Sequence, residues 1–198
     1  VQIREKDLAA RPLAALTREA VTRTRGLGLD RAARVIVNDR LDVAITEAAG
    51  GVHLGEAGLP VGEVARWLKR AAPEAEATDR SASASQIPAS TSGDFLIGAS
   101  CHSLEGARAA ARDGADYIFF GPVFATPSKT KFGEPQGVTK LAEICRAVSV
   151  PVIAIGGITL ENAGECISVG AAGIAAIRLF QDADDPAQII STLKKLRR

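Results

Sequence analysis

The stretch ADYIFFGPVFATPSK, residues 115–129, followed by VPVIAIGGIT, residues 150–159, decides the fold. Tyr117 to Phe120 is a short run of β-branched and aromatic residues. It stops at Gly121-Pro122 and hands over to a loop bearing Thr126, Ser128 and Lys129. The pattern recurs twice, from Val150 to Ile155 ending at Gly156-Gly157, and from Gly173 to Ile177 ending at Arg178. Runs this short that are apolar along their whole length read as strands buried on both faces, and the helix-like segments between them predict a parallel sheet. Polar residues and glycines collect at the carboxyl end of each run. In a barrel of parallel strands that is the face where active sites form.

Working outward toward the N-terminus, VQIREKD opens as a strand whose end presents Gln2, Arg4 and Lys6. Leu13, Leu16 and Ala20 then recur at helical spacing, which predicts an amphipathic outer helix over 10–26. ARVIVNDR is the next strand, ending at Asn38 and Asp39; a short helix over 41–48 precedes the strand GVHLG, and Trp67 is expected to anchor the following helix to the barrel. Residues 73–94, rich in Ala, Ser, Pro and charge, read as a surface loop on the face opposite the site rather than as a second domain. FLIGAS is a strand running to Ser100 and His102, and 104–113 is an alanine-rich helix. Beyond the central strand, the loop from Phe124 to Gly137 is long enough to act as a lid. Thr159 is expected to cap the helix after Gly156-Gly157, and a closing helix starts near 185. The whole is one domain of about seven strand-helix pairs, one short of a closed (β/α)8 TIM barrel. The chain holds no methionine, so it is expected to be a piece of a longer reading frame, with the remaining pair before Val1.

Composition excludes several classes of function. With 24 Lys and Arg against 23 Asp and Glu, both signs scattered, there is no nucleic-acid footprint and no basic face for an anionic membrane. No apolar run approaches the roughly 20 residues that span a bilayer, and a cytoplasmic protein is expected. Cys101, Cys145 and Cys166 lack paired spacing, so neither a disulfide framework nor a zinc site is expected, and the latter two read as small core residues.

The candidate chemistry is anionic recognition. Arg4 and Lys6, two apart on a strand end, share a side and could grip a pyrophosphate, or could form a solvated edge. Lys129, with the hydroxyls of Thr126 and Ser128, adds donors. Asp39 beside Asn38 could hold a magnesium ion through one carboxylate, or simply cap a helix. Gly156-Gly157 before a capped helix suits a phosphate, and Arg178 sits at the following strand end, where an ion pair to Asp182 or Asp184 is the plainer alternative. His53 and His102 read as structural, and Cys101 and His102, adjacent on a strand, point to opposite faces.

VQIREKD, VNDR, GVHLG, GASCH, ADYIFFGPVFATPSK, AIGGIT and AGIAAIR, in this order, resemble the thiamine phosphate synthase family with its TenI-type thiazole tautomerase branch. The resemblance implies a (β/α)8 barrel that joins hydroxymethylpyrimidine pyrophosphate to thiazole phosphate, with Mg2+ as cofactor. By position, Gln2, Arg4 and Lys6 would hold the pyrimidine and its pyrophosphate, with Asn38, Ser100 and Lys129 as further contacts. Asp39 would be a magnesium ligand, while Thr126, Ser128, Gly157 and Ile177 would line the thiazole phosphate pocket. Arg4, Lys6 and Lys129 would carry the catalytic charge. Related barrels imply a monomer or a homo-oligomer. Four positions depart from the family pattern: Gly58 stands where synthases carry a second acidic ligand, Arg178 replaces a serine, Ser128 replaces the second threonine of TxTK while keeping the hydroxyl, and Pro122 stands where the tautomerases carry their proton-transfer histidine. Synthase activity is the expectation, with a tautomerase or a catalytically silent phosphate-binding barrel as alternatives.

Overall fold

In the computed structural model, which describes residues 1–28, 33–77, 95–126 and 134–196, strands and helices alternate as the periodicity predicts. The strands are β1 (Gln2–Ile3), β2 (Ile36–Asn38), β3 (Gly51–Leu54), β4 (Leu96–Cys101), β5 (Tyr117–Phe120), β6 (Val152–Ile155) and β7 (Gly173–Ala175). The helices are α1 (Ala10–Gly26), α2 (Leu41–Thr46), α3 (Val61–Ala77), α4 (Leu104–Asp113), α5 (Gly137–Ala147), α6 (Leu160–Ser168), α7 (Arg178–Gln181) and α8 (Pro186–Lys195). The chain divides into two compact units, residues 1–99 with 113–115, and residues 100–112 with 116–198.

In the first unit β1 to β4 pair in chain order and in parallel, with Ile3 opposite Val37, Asn38 opposite His53 and Leu54 opposite Ala99. Parallel neighbours need a crossover, and α1 and α2 supply two of them with the apolar faces that cover the sheet. Ile3, Leu13, Val37, Val52, Leu54 and Ile97 belong to its buried core. The buried stripe of α1 is Leu13, Thr17 and Val21, not the predicted row through Leu16, which is 40% exposed. Thr17 was hidden from a hydropathy reading because its hydroxyl donates back to the Leu13 carbonyl at 2.8 Å, so the methyl can enter the core without an orphaned polar group. Trp67 is likewise 43% exposed; α3 meets the core through Val64, with Val61, Ala65 and Leu68 partly buried beside it.

In the second unit β5, β6 and β7 pair in parallel, with Phe119 opposite Ile153 and Ile155 opposite Ala175. Ile118 and Phe120 of β5, Val152 and Ala154 of β6, and Leu141 and Ile144 of α5 are buried. The expectation of burial on both faces holds best for β5; β6 alternates buried with half-buried residues and β7 is half-buried throughout, so its apolar run does not mark a fully enclosed strand. Several boundaries move from their expected places, with α2 ending at Thr46 and β6 starting at Val152 among them. Strand β1 stops at Ile3, β7 stops at Ala175 so that Arg178 opens a short helix, and α3 runs through 73–77, where a loop was expected. The rest of that predicted loop, 78–94, lies outside the described residues.

Candidate functional site

The ends of β1, β2 and β3 are tied together by one run of hydrogen bonds. Gln2 Nε2 donates to Asn38 Oδ1 at 3.1 Å, Asn38 Nδ2 donates to Asp39 Oδ2 at 2.6 Å, and the Gly55 N–H donates to Asp39 Oδ1 at 2.8 Å. Asp39 is held at φ 59°, the left-handed region that Asp tolerates better than most residues, and its own N–H donates to the His53 carbonyl at 2.8 Å. The backbone turn therefore aims the carboxylate across the strand ends. Behind it His53, 1% exposed, has its pKa pushed down to about 4. Burial is the main cause; the Asp39 charge opposes the shift and the Arg4 charge adds to it, so both charged groups act on the ring. Gln2, Asn38 and Asp39 are thus brought together, and the Arg4 charge reaches the His53 ring behind them. Lys6 lies in a turn past the end of β1 and Arg4 also falls outside the strand, so strand alternation does not give the two residues one facing as expected.

Each oxygen of Asp39 accepts one of these bonds and keeps a further lone pair. A hard cation such as Mg2+ is held by one or two carboxylates and completes its shell with water and phosphate oxygens, so Asp39 fits that role as a single protein ligand. The second acidic position is closed in this arrangement: a Cβ at Gly58 would lie 2.9 Å from Asp39 Oδ1 and 3.1 Å from the Gly55 carbonyl oxygen. Among the described residues no group of three or more His, Cys, Asp and Glu is placed to hold a metal.

The second unit carries the glycine turn. Gly156 and Gly157 have φ of 97° and 66°, and a Cβ on Gly157 would come within 2.5 Å of the Ala125 carbonyl oxygen, so both conformation and closeness require glycine. Thr159 caps α6 as expected, in a reciprocal pair with Asn162: the Asn162 N–H donates to the Thr159 hydroxyl at 3.4 Å, and the Thr159 N–H donates to Asn162 Oδ1 at 2.8 Å. Asn162 Nδ2 also donates to the Gly157 carbonyl at 2.9 Å, which fixes the turn to the helix start. Sequence reading missed Asn162, although Thr-x-x-Asn is a variant of the Ser/Thr-x-x-Glu capping pattern that would have revealed it. The product is a helix N-terminus set behind a backbone loop, an arrangement that favours anions.

Arg178 donates to Thr126 Oγ1 at 3.4 Å, so the guanidinium turns to the hydroxyl of the loop after β5, and no ion pair to Asp182 or Asp184 is seen among the described residues. Ile177 is 58% exposed just before it. Ser100 sits near the end of β4 and His102 just past it, where the His102 ring meets the Gly121 carbonyl through Nδ1. Ser128, Lys129 and the middle of the predicted lid fall in 127–133, outside the described residues. Burial raises the Cys166 thiol to about 11 and also raises Cys145, so both stay protonated and neither suits nucleophilic chemistry. An apolar cavity of about 260 Å3 under α8, lined by Ile174, Phe180, Ile190 and Leu193 among others, includes none of the predicted site residues.

Fold and strand ends define the class: an α/β protein of TIM type whose polar residues at the strand termini suit phosphorylated ligands. The family profile described as thiamine monophosphate synthase matches residues 1–72 and 77–180, and the chain belongs to that family. It is 39% identical over 186 residues to the thiamine-phosphate synthase of Roseiflexus castenholzii, covering 94% of this chain and 70% of that protein. Against the thiamine-phosphate synthase of Methanoculleus marisnigri it is 42% identical over 177 residues, 89% of this chain and 71% of the relative. The solved thiamine phosphate pyrophosphorylase from Pyrococcus furiosus superposes with a TM-score of 0.77 at 32% identity, covering 99% of this chain and 81% of that one.

Proposed function

We propose that this chain is a thiamine phosphate synthase, which joins hydroxymethylpyrimidine pyrophosphate to thiazole phosphate and releases pyrophosphate. The observation that carries the reading is the bonded run Gln2–Asn38–Asp39–Gly55, which sets an amide and a carboxylate side by side at the strand ends within range of the Arg4 charge on His53. In this reading Gln2, Arg4 and Lys6 take the pyrimidine and its pyrophosphate, with Asn38, Ser100 and Lys129 as further contacts. Thr126, Ser128, Gly157, Ile177 and Arg178 take the thiazole phosphate. Asp39 would hold Mg2+, which when bound offsets the negative charge of a pyrophosphate.

The chemistry asks little of general bases. The bond from the pyrimidine methylene carbon to the pyrophosphate oxygen breaks with its electron pair leaving on oxygen, and the thiazole nitrogen lone pair then closes the new C–N bond. Arg4, Lys6 and Lys129 stabilise the charge growing on the leaving group, so preorganised cations supply most of the barrier reduction. The same reading places the enzyme in the cytoplasm, in keeping with three free cysteines and with the absence, among the described residues, of any helix long and apolar enough to cross a membrane.

Calorimetry with each substrate, with and without Mg2+, tests the assignment. The pyrimidine pyrophosphate should bind more tightly with the metal and thiazole phosphate about equally in both conditions. Metal-independent binding of both would sink the reading.

A further inference from the structure

We infer that His102 is a positioning residue for the anion-binding turn of the second unit: its ring latches Gly121 and so holds residues 122–126 against Gly156 and Gly157. This goes beyond the proposed function and rests on it for the identity of the bound anion. His102 follows β4 and is half-buried, and its Nδ1 is paired with the Gly121 carbonyl oxygen. A carbonyl only accepts, so Nδ1 carries the proton whether the ring is neutral or charged.

Gly121 is the first residue of a tightly seated segment. A Cβ there would meet the Ile155 carbonyl oxygen at 1.9 Å, so the backbones at the ends of β5 and β6 are in direct contact. From that point the Val123 N–H donates to the Ile155 carbonyl at 2.9 Å and the Phe124 N–H donates to the Gly156 carbonyl at 3.0 Å. Gly156 lies against Pro122 and Gly157 against Phe124 and Ala125, leaving no room for a side chain. The segment ends at Thr126, which accepts from Arg178. One face of this segment is thus fixed by the glycine turn, and the residue that fixes its start from the β4 side is His102. Removing the latch loosens both the turn and the Thr126 hydroxyl, while the ends of β1 to β3 are untouched.

The test uses the full chain with His102→Asn, His102→Gln and His102→Ala. The Asn amide nitrogen sits one bond from Cγ, as Nδ1 does, whereas that of Gln sits one bond further out. His102→Ala and His102→Gln should raise KM for thiazole phosphate about five-fold, the worth of one net hydrogen bond, with KM for the pyrimidine pyrophosphate within about two-fold of wild type. His102→Asn should restore the wild-type KM and keep the wild-type pH profile. In 15N-labelled wild-type protein the neutral ring should show a protonated Nδ1 and an unprotonated Nε2. A ring protonated on Nε2 instead, or a kcat that collapses as far in His102→Asn as in His102→Ala, would overturn the latch, the latter pointing to proton transfer by the ring. Should the wild-type chain fail to join the two substrates, the functional reading falls, and the tautomer alone then decides the latch.

Discussion

Gly157→Ala separates two physical demands that the glycine turn makes at once. Its φ of 66° is unfavourable to any side chain by about 1–2 kcal/mol. The added Cβ would also lie 2.5 Å from the Ala125 carbonyl oxygen and 2.8 Å from the Phe124 carbonyl carbon and Cβ, two backbone atoms and a Cβ fixed to the backbone, none of which can swing aside. Overpacking of that kind adds about 1–3 kcal/mol. Gly137 is the matched control, with a φ of 76° and, among the described residues, nothing within 4 Å of an added methyl. Gly137→Ala should therefore lose about 1–2 kcal/mol and Gly157→Ala about 2–5 kcal/mol. At about 3 °C per kcal/mol, the middle of the range for a domain of this size, the melting temperature drops by about 3–6 °C against about 6–15 °C. Thermal unfolding followed by circular dichroism reads both. In parallel, Gly157→Ala should weaken thiazole phosphate binding about tenfold or more, and Gly137→Ala by no more than about two-fold. Equal temperature shifts, with equal binding, would refute the claim that residues 124–125 press on the turn.

Asp39→Asn keeps an acceptor for Gly55 but loses the charge, so activity at saturating substrate should fall by about 100-fold or more and the metal dependence of pyrophosphate binding should vanish in calorimetry; retention of both would remove Asp39 from the metal site. His53 gives a pH signature. Its folded pKa lies below the unfolded value, so its contribution is intact above about pH 6.5 and is lost as pH falls toward about 4, because the unfolded ring takes up a proton that the buried one resists. The loss should reach about 3 kcal/mol, and in urea titrations at several pH values His53→Gln should lack that part of the slope; parallel curves for the two proteins would contradict it. Asn162→Ala removes both the reciprocal cap and the bond to Gly157 and should lower stability by about 1–2 kcal/mol, whereas Thr159→Ser, which keeps the hydroxyl, should stay near wild type in the same melts.

The order of elements was legible because short, continuously apolar β-rich runs between helical segments leave an unmistakable trace, as at Tyr117–Phe120 and Val152–Ile155, although only the first is buried nearly throughout and the second alternates buried with half-buried residues. Boundaries were less so. Helix α3 runs into 73–77 because Ala and Glu are good helix formers even when their composition resembles a linker. Thr17 read as polar and Leu16 as apolar, yet the first is buried and the second exposed, since a back-bonded hydroxyl can enter a core and a single leucine can stay in water. At the candidate site, residue types pointed to Asn38 and Asp39, but the left-handed turn that aims Asp39, the Gly55 N–H that holds it and the closeness of Gly58 are three-dimensional facts. Arg178 was visible as a cation with several partners in reach, and only the fold could select Thr126 over the nearby aspartates.

The most direct measurement incubates the purified chain with hydroxymethylpyrimidine pyrophosphate, thiazole phosphate and Mg2+ and follows the products by chromatography. Thiamine phosphate and pyrophosphate should appear in equal amounts, and chelation of the metal should stop both. Conversion of thiazole phosphate alone, indifferent to chelator and to the pyrimidine, or tight binding of both substrates with no product, would contradict the synthase account.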